Sequence, residues 1–273
     1  MPEPNALDLQ VLSALLRAAA RDEIMPRFRQ ATSQAKADGS LVTETDLAVQ
    51  KRLQESLAER WPDIPLLGEE MAADRQQGML GDGSSTFWCL DPLDGTSNYA
   101  CGYPGFAVSL ALVRNGRAEL AAILDPVRDE CFTAARGGGA FVNGESIAPF
   151  TCGDSLGDCL AAVDFKRLPP ERIANLFRPG SFRSQRNFGA VALEWCWIAS
   201  GRFQLYLHGG QKLWDYIAGR LIADEAGVVS ALYAQDGTTP LDGIGLDKRA
   251  AVAAANQRLF ERWLTFIELP LWR

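Results

Sequence analysis

The sequence predicts a mixed α+β protein, and three observations carry that reading. The apolar runs Ala107 to Val113 and Glu119 to Leu124 flank an Arg-Asn-Gly turn, the strongest hairpin signal in the chain and the mark of an antiparallel sheet. Beyond residue 151, strand-like and helix-like segments alternate, the pattern of a sheet covered on both faces. Pro149 to Asp154 reads as a boundary between an N-terminal half, 1–150, and a C-terminal half, 151–273. A chain of 273 residues with 47% hydrophobic content can bury a large core, and neither a repeat nor a low-complexity tract interrupts it.

Taken in order, Asn5 or Asp8 caps a first helix reaching about Arg27, with Leu9, Leu12, Leu15, Leu16 and Ala19 on one face. Lys36 to Ser40 is a polar loop. A second helix runs from Thr45 or Asp46 to Arg60 with Leu47, Leu53 and Leu57 inward, and Trp61-Pro62 ends it. Ile64 to Leu67 is a short strand leading to Gly68-Glu69-Glu70, and Met71 to Ser85 has the composition of a loop. Phe87 to Leu90 is a strand. After the hairpin, Glu130 to Ala134 and Gly139 to Val142 continue the antiparallel set. Gly137-Gly138-Gly139 reads as a tight turn, since no Lys and Ser/Thr follow to make a phosphate loop.

In the second half, Cys159 to Val163, Phe182 to Ser184, Phe203 to Leu207, Val228 to Ala231 and Ala250 to Ala254 are strands. Helices are expected over Pro170 to Phe177, Gly189 to Ser200, Trp214 or Asp215 to Glu225, and Asn256 to Trp263.

The chain is organised around W-C-L-D-P-L-D-G-T-S-N-Y, Trp88 to Tyr99. An apolar strand runs into Asp91, and Pro92 ends regular pairing. Asp94-Gly95 turns the chain, and Thr96 and Ser97 are suited to start a helix whose N–H groups suit a phosphate. Asp91 and Asp94 are either two solvated turns or a pair of cation ligands. Thr96 is an N-cap or a residue that orients a water. Glu69 and Glu70 are loop acids or ligands. Asp215, at the mouth of W-D-Y-I-A-G, and Asp46, near Thr43, are helix-start acids or part of a site.

Pooling these acids favours chemistry, because carboxylates converging without basic partners are driven towards protonation unless cations neutralise them. A formal net charge of -7 gives no basic footprint for nucleic acid or anionic lipid. His208 is the single histidine, and Cys89, Cys101, Cys131, Cys152, Cys159 and Cys196 lack CxxC spacing and read as small buried thiols. A zinc or haem site is therefore disfavoured, and oxygen-ligated Mg²⁺ or Mn²⁺ is expected. No apolar run reaches the roughly 18 residues of a membrane span. The acidic start M-P-E-P-N-A-L-D-L shows no secretory signal, so a cytoplasmic location is expected.

The sequence resembles the inositol monophosphatase family, grouped with the fructose-1,6-bisphosphatases and 3'-phosphoadenosine phosphatases. The resemblance rests on L-L-G-E-E at Leu66 to Glu70, D-P-L-D-G-T-S-N at Asp91 to Asn98, the run Asp125 to Gly144, and W-D-Y-I-A-G at Trp214 to Gly219, in order over roughly residues 8 to 265. It implies a layered α/β/α/β/α sandwich, a homodimer, and Mg²⁺-dependent, lithium-sensitive hydrolysis of a small phosphate monoester with two or three ions. Glu69, Asp91 and the Leu93 carbonyl would hold one ion, and Asp91, Asp94 and Asp215 a second. Thr96, Glu69 and Asp46 would position the water, and Gly95 and Thr96 amides would meet the phosphate. Asp94, Val191, His208 and Asp215 fall at positions that face substrate in the family.

The departures lie at the leaving-group end. Gly189-Ala190-Val191 lacks the hydroxyl of the family's Gly-Ser/Thr-Ala, His208 replaces an acid six residues before the tryptophan, and Ser40 stands where members often carry Asp. His208 is thus a surface-loop residue or a substrate contact. The expected activity is that of an inositol-1-monophosphatase. Histidinol-phosphatase, 3'-phosphoadenosine 5'-phosphate phosphatase and sugar bisphosphatase are the alternatives within the family. Outside enzymes, the alternative is a non-catalytic, RNA-associated regulator that keeps the fold.

Overall fold

The computed structural model describes residues 8–30, 33–35, 41–80, 86–234 and 236–268. The Lys36–Ser40 loop and the cap expected at Asn5 lie outside them. The first helix, α1 (Leu9–Ala19), continues as a π-turn over Ala20–Ile24 and a 3-10 turn over Met25–Arg27. The single helix expected to Arg27 thus changes its hydrogen-bond period at Ala20, and Pro26, which has no N–H to extend an α-pattern, sits in the closing 3-10 turn. A two-stranded ribbon of β1 (Ser33–Ala35) and β2 (Leu41–Thr43) precedes α2 (Glu44–Arg60). Thr43 caps α2 in a capping box with Asp46. Val49, Leu53 and Leu57 form its buried stripe. Leu47, expected inward, is 54% exposed because it falls off that stripe.

Next come β3 (Leu66–Gly68), α3 (Ala73–Leu80), β4 (Thr86–Asp94) and the five-residue α4 (Thr96–Ala100). The loop expected over Met71 to Ser85 is therefore corrected through Leu80. Beside Met79 and Leu80, which pack on the middle-layer cluster, α3 has a polar anchor: the buried Gln76 amide donates to the carbonyls of Gly68 (2.8 Å) and Glu69 (3.2 Å). A weak apolar pattern hides such a helix from periodicity.

The hairpin forms as expected, between β5 (Ala107–Arg114) and β6 (Arg117–Asp125), with Asn115 and Gly116 both at positive φ (50° and 71°). The meander continues through β7 (Glu130–Ala135), β8 (Gly139–Val142) and β9 (Glu145–Ser146), completing a seven-stranded sheet in the order β3-β4-β5-β6-β7-β8-β9. The glycine turn 137–139 holds an internal carboxylate. Gly137 and Gly139 N–H groups donate to Glu225 at 2.8 and 3.0 Å.

The second half contains β10 (Leu160–Asp164), α5 (Pro170–Leu176), β11 (Ser184–Arg186), α6 (Val191–Ala199), β12 (Leu205–Gln211), α7 (Leu213–Ala226), β13 (Val229–Tyr233), β14 (Arg249–Ala254) and α8 (Gln257–Ile267). Its five strands run in the order β11-β10-β12-β14-β13, with β10 parallel to both neighbours and β14 antiparallel to β12 and β13.

Three apolar clusters define five layers. One joins α1 and α2 to one face of the large sheet, a second joins the other face to α6, α7 and the small sheet, and a third joins the small sheet's outer face to α5 and α8. The result is an α/β/α/β/α sandwich. Period-two alternation drives it: on β5, Val108, Leu110 and Leu112 face the first cluster while Ala107, Ala111 and Val113 face the second. A register shift after Leu112 pairs Leu120 with Leu112 but Ala118 with Val113, which turns Ala118 to the middle layer. Four of the six cysteines are buried. Cys101 and Cys152 are exposed, against the expectation for all six. Among the described residues no helix is long and apolar enough to cross a membrane.

The middle layer depends on a close approach of α6 and α7. A Cβ on Gly219 would lie 2.5 Å from Trp195 Cβ and 2.9 Å from its Cγ, with Trp195 fully buried. Gly219→Ala should therefore cost about 1–3 kcal/mol through overpacking. Gly78→Ala, in α3 with nothing within 4 Å of the new Cβ, should gain about 0.5–1 kcal/mol. Chemical denaturation of both variants checks the pair, and an unaffected Gly219→Ala would contradict the tight contact.

Candidate active site

A cavity of about 350 Å³ opens where the end of β4, the starts of α6 and α7, and the ends of β10 and β12 meet. Glu69, Asp91, Leu93, Asp94, Gly95, Thr96, Val191, His208 and Asp215 all line it. Asp46 is buried beside it, reached through Thr96.

The centre is the irregular end of β4. Regular pairing with β5 breaks at Pro92, as expected: the register shifts between Asp91, opposite Ser109, and Asp94, opposite Ala107, where the ladder resumes. Pro92 sits in that irregularity, where a missing N–H removes no ladder bond. Asp91 Oδ1 accepts the Leu93 N–H at 3.0 Å. Asp94 accepts the first N–H groups of α6, from Val191 at 3.2 Å and Ala192 at 2.8 Å. The carboxylate thus caps a helix whose own N-cap, Ala190, offers no side-chain acceptor.

Gly95 follows at φ 84°, and a Cβ there would approach the Gly105 carbonyl oxygen to 2.8 Å. Glycine alone suits both demands. Thr96 then opens α4. Its hydroxyl donates to the Leu93 carbonyl at 3.0 Å and stands 3.4 Å from Asp46 Oδ1. Asp46 Oδ2 accepts the Thr43 N–H (2.8 Å) and hydroxyl (2.6 Å). Asp46 is therefore both a capping residue of α2 and a neighbour of Thr96. The capping alternative left open by the sequence is thus seen, and the contact with Thr96 sets Asp46 next to the cavity.

Glu69 lies just past β3, its N–H donating to the Leu90 carbonyl at 3.1 Å. Glu70 is outside the lining, with its N–H on Gln50 Oε1. Asp215 occupies the third position of α7, where Oδ2 accepts the Lys212 N–H at 2.9 Å.

These acids disfavour one another. Burial first, then the charges of Glu69, Asp94 and Asp215, push the Asp91 carboxyl well above its ordinary 3.8. Burial and the Asp215 charge raise Asp94, and burial raises Asp215. Among the described residues no three His, Cys, Asp or Glu side chains form a ready-made metal cage, and Asp91, Asp94 and Asp215 each accept backbone N–H groups. The donor set still fits a hard divalent cation: buried carboxylates converge on one cavity, raised by mutual repulsion that a cation would relieve.

His208 corrects one expectation. It is no surface-loop residue but a strand residue of β12, 2% exposed, paired in register with Asp164 of β10. Its Nε2 lies 3.0 Å from Asp164 Oδ2, and Nδ1 accepts the Gly210 N–H at 3.2 Å. Burial alone would raise Asp164, but the His208 hydrogen bond and the Arg167 charge outweigh it and hold the carboxyl well below the usual range.

Asp164 and Glu194 were not singled out from the sequence, although both carry a signal. Asp164 ends an apolar strand as Asp91 does, and Glu194 is the sole charge in the helix V-A-L-E-W-C-W-I-A. Glu194, also buried, accepts the N–H groups of Phe188 (3.1 Å) and Gly189 (3.3 Å). Ser40 lies outside the described residues.

Comparison with known proteins gives the family and the fold. The sequence profile described as Inositol monophosphatase family matches residues 8–266. A "Nus factor SuhB" of Pseudomonas aeruginosa is 34% identical over 233 residues, covering 83% of this chain and 82% of its own. A "Fructose-1,6-bisphosphatase/inositol-1-monophosphatase" of Aquifex aeolicus is 32% identical over 231 residues, 83% and 85% of the two chains. Among solved structures, an IMPase of Thermotoga maritima superposes with a TM-score of 0.80 at 25% identity over 95% of this chain and 96% of its own. An IMPase/NADP phosphatase complexed with Mg²⁺ and phosphate does so at 0.79 and 25% identity, over 97% of each chain.

The crowded acids make the metal-free protein sensitive to pH. A carboxyl whose folded pKa is raised stays protonated in the folded state after it has ionised in the unfolded one, so stability falls as pH rises from about 4 through the raised value. Melting temperature in EDTA should fall along that path, and millimolar Mg²⁺ should reverse most of the loss. Asp91→Asn should raise the EDTA melting temperature, by about 2–4 °C per kcal/mol of repulsion relieved, and blunt the Mg²⁺ response. A lower EDTA melting temperature in this variant would contradict the repulsion.

Proposed function

The chain belongs to the inositol monophosphatase family, and from that premise we propose that it is a Mg²⁺-dependent, lithium-sensitive phosphate monoester hydrolase, cytoplasmic and homodimeric. Inositol 1-phosphate is the first substrate to test. The observation that carries the reading is the convergence of Glu69, Asp91, Asp94 and Asp215 on one cavity beside Thr96. Glu69, Asp91 and the Leu93 carbonyl would hold one ion, and Asp91, Asp94 and Asp215 another. When bound, such ions supply positive charge to the phosphoryl oxygens and lower the pKa of water.

The residues of the chain set the geometry of attack. Thr96 gives its hydroxyl proton to Asp46 or the Leu93 carbonyl, which leaves its oxygen free to accept one hydrogen of the water. Glu69 accepts the other, and the water's lone pair is aimed at phosphorus. The Gly95 and Thr96 amides face the phosphate oxygens, where their N–H dipoles stabilise charge. The leaving alkoxide departs towards the His208 end of the cavity. His208 makes no phosphoenzyme, since both ring nitrogens are already engaged, by Asp164 and by the Gly210 N–H.

Relatives named Nus factor SuhB favour a second reading, a regulatory protein that keeps the fold. Turnover separates the two. Phosphate release from inositol 1-phosphate should require Mg²⁺ and be inhibited by Li⁺. Thr96→Ala should lower kcat by about 10²–10⁴-fold with a smaller change in KM, and Asp91→Asn should abolish turnover with circular dichroism unchanged. Undiminished release by Asp91→Asn would overturn the phosphatase mechanism. Absence of Mg²⁺-dependent release across a monoester panel would favour the regulatory reading.

A further inference from the structure

The segment between β9 and β10 carries two cysteines, Cys152, which is exposed, and Cys159, which is buried. It folds back on itself. A 3-10 turn over Leu156–Asp158 closes it, with the Asp158 N–H on the Ser155 carbonyl at 3.1 Å and the Cys159 N–H on the Leu156 carbonyl at 2.9 Å. Gly153 stands at φ 153°, and a Cβ there would come within 3.0 Å of Asp158 Oδ2. Outside contacts hold the fold-back in place. Leu156 is buried in the cluster on the outer face of the small sheet, Asp154 is paired with Arg258 of α8, and Asp158 with Arg183 at 3.1 Å.

The two sulfurs meet inside this fold-back. Cys152 Sγ donates to the Asp158 carbonyl at 2.7 Å, on the peptide group that leads into Cys159. Cys159 Sγ donates to the Ser155 carbonyl at 3.3 Å, and the two thiols are in hydrogen-bond contact with each other. The buried Gln204 steadies the pair: its Oε1 accepts the Leu160 N–H at 3.0 Å and lies 3.9 Å from Cys152 Sγ. Burial, and after it the contact with Cys152, pushes the Cys159 thiol up to about 12. Cys159 therefore stays protonated and out of reach of solution, while Cys152 is open to it. An exposed thiol held beside a buried one is the arrangement of an attacking and a resolving cysteine.

We propose that Cys152 and Cys159 form a redox site at which a small disulfide oxidises the pair to an intramolecular disulfide. Cys152, its proton lost to solvent, attacks one sulfur of the oxidant as a thiolate. The oxidant's S–S bond breaks, and its other half leaves as a thiolate that takes up a proton. Cys159 then bonds to the Cys152 sulfur, gives its proton to solvent and displaces the first half of the oxidant, which leaves as a thiol. Two protein thiols are oxidised and one small disulfide is reduced to two thiols. The product ties the exposed segment to the start of β10. Neither cysteine lines the cavity of the acids, so the site stands apart from the phosphatase reading.

Oxidised glutathione, added to the folded protein, tests this. The tryptic peptide 137–166 holds Cys152 and Cys159 and no other cysteine. After oxidation it should be lighter by two hydrogen atoms and take no alkylating label, and dithiothreitol should restore both thiols. The constant for closing the disulfide, read from a series of glutathione redox ratios, should be at least about tenfold larger in the folded protein than in urea, because the fold already brings the sulfurs together. The melting temperature should rise by a few degrees on oxidation. Cys159→Ala should stop at glutathione held on Cys152, and Cys152→Ser should leave Cys159 a free thiol. Glutathione held on Cys152 of the parent with Cys159 still free, a closing constant no larger in the folded protein than in urea, or glutathione on Cys159 in Cys152→Ser would overturn the proposal.

Discussion

The Asp94 carboxylate is the joint on which the structure turns. It leaves the end of β4 in the large sheet and accepts the first N–H groups of α6, almost a hundred residues later in the chain. The bond satisfies helix donors that Ala190 cannot reach. It also pins the middle helix layer to the sheet at one end, with Ala190 packed close to Gly95. Hydrophobic packing joins the large sheet to α6 and α7 along the middle layer, and at the cavity the Asp94 carboxylate joins them. A buried anion at that seam brings its own difficulty, since Asp91, Asp215 and Glu69 lie near enough to repel it and one another. The structural need for Asp94 and the chemical use of the acids are thus one arrangement seen from two sides.

The fold was legible wherever burial enforces a period. The hairpin at Asn115-Gly116 and the alternating strands of the second half lie within a few residues of their expected bounds, because one face of each must be apolar. Periodicity failed where something other than apolar burial decides. Helix α3 is anchored in part by Gln76 on two carbonyls, a contact no hydropathy pattern encodes. Leu47 is apolar yet exposed, since the α2 stripe is set by Val49, Leu53 and Leu57 with Asp46 at its head. Strand β4 runs on past Leu90 to Asp94, because a bulge tolerates Pro92 where a regular ladder would not.

The candidate site was legible in its acids and hidden in its far wall. Asp91, Asp94 and Thr96 stand within six residues of one another, so a local motif shows them. Asp164, His208 and Lys248 are brought together only by the pairing of β10, β12 and β14, and Glu194 joins them from α6. His208 in particular reads as a loop residue in L-H-G-G-Q, because the two glycines that suggest a loop are a bulge within a buried strand. Their role is to let the Arg167 backbone approach, since a Cβ on Gly209 would lie 2.1 Å from the Arg167 carbonyl oxygen.

That division of labour follows from how each end of the cavity is held. Altering Asp94 removes the cap of α6, altering Gly95 drives a side chain into the Gly105 carbonyl, and altering Gly219 pushes α7 off Trp195. The reacting end is therefore bound up with the core, and few of its residues can change without a cost in stability. Lys166 and Lys248 stand exposed at the mouth, where substitution leaves no cavity and strands no buried partner. Surface positions of that kind usually change stability by no more than about 0.5 kcal/mol. A fold built this way can hold its chemistry constant while exposed positions at the mouth change. The strand ends around Gly210 share a cavity with the acids but little of their structural burden.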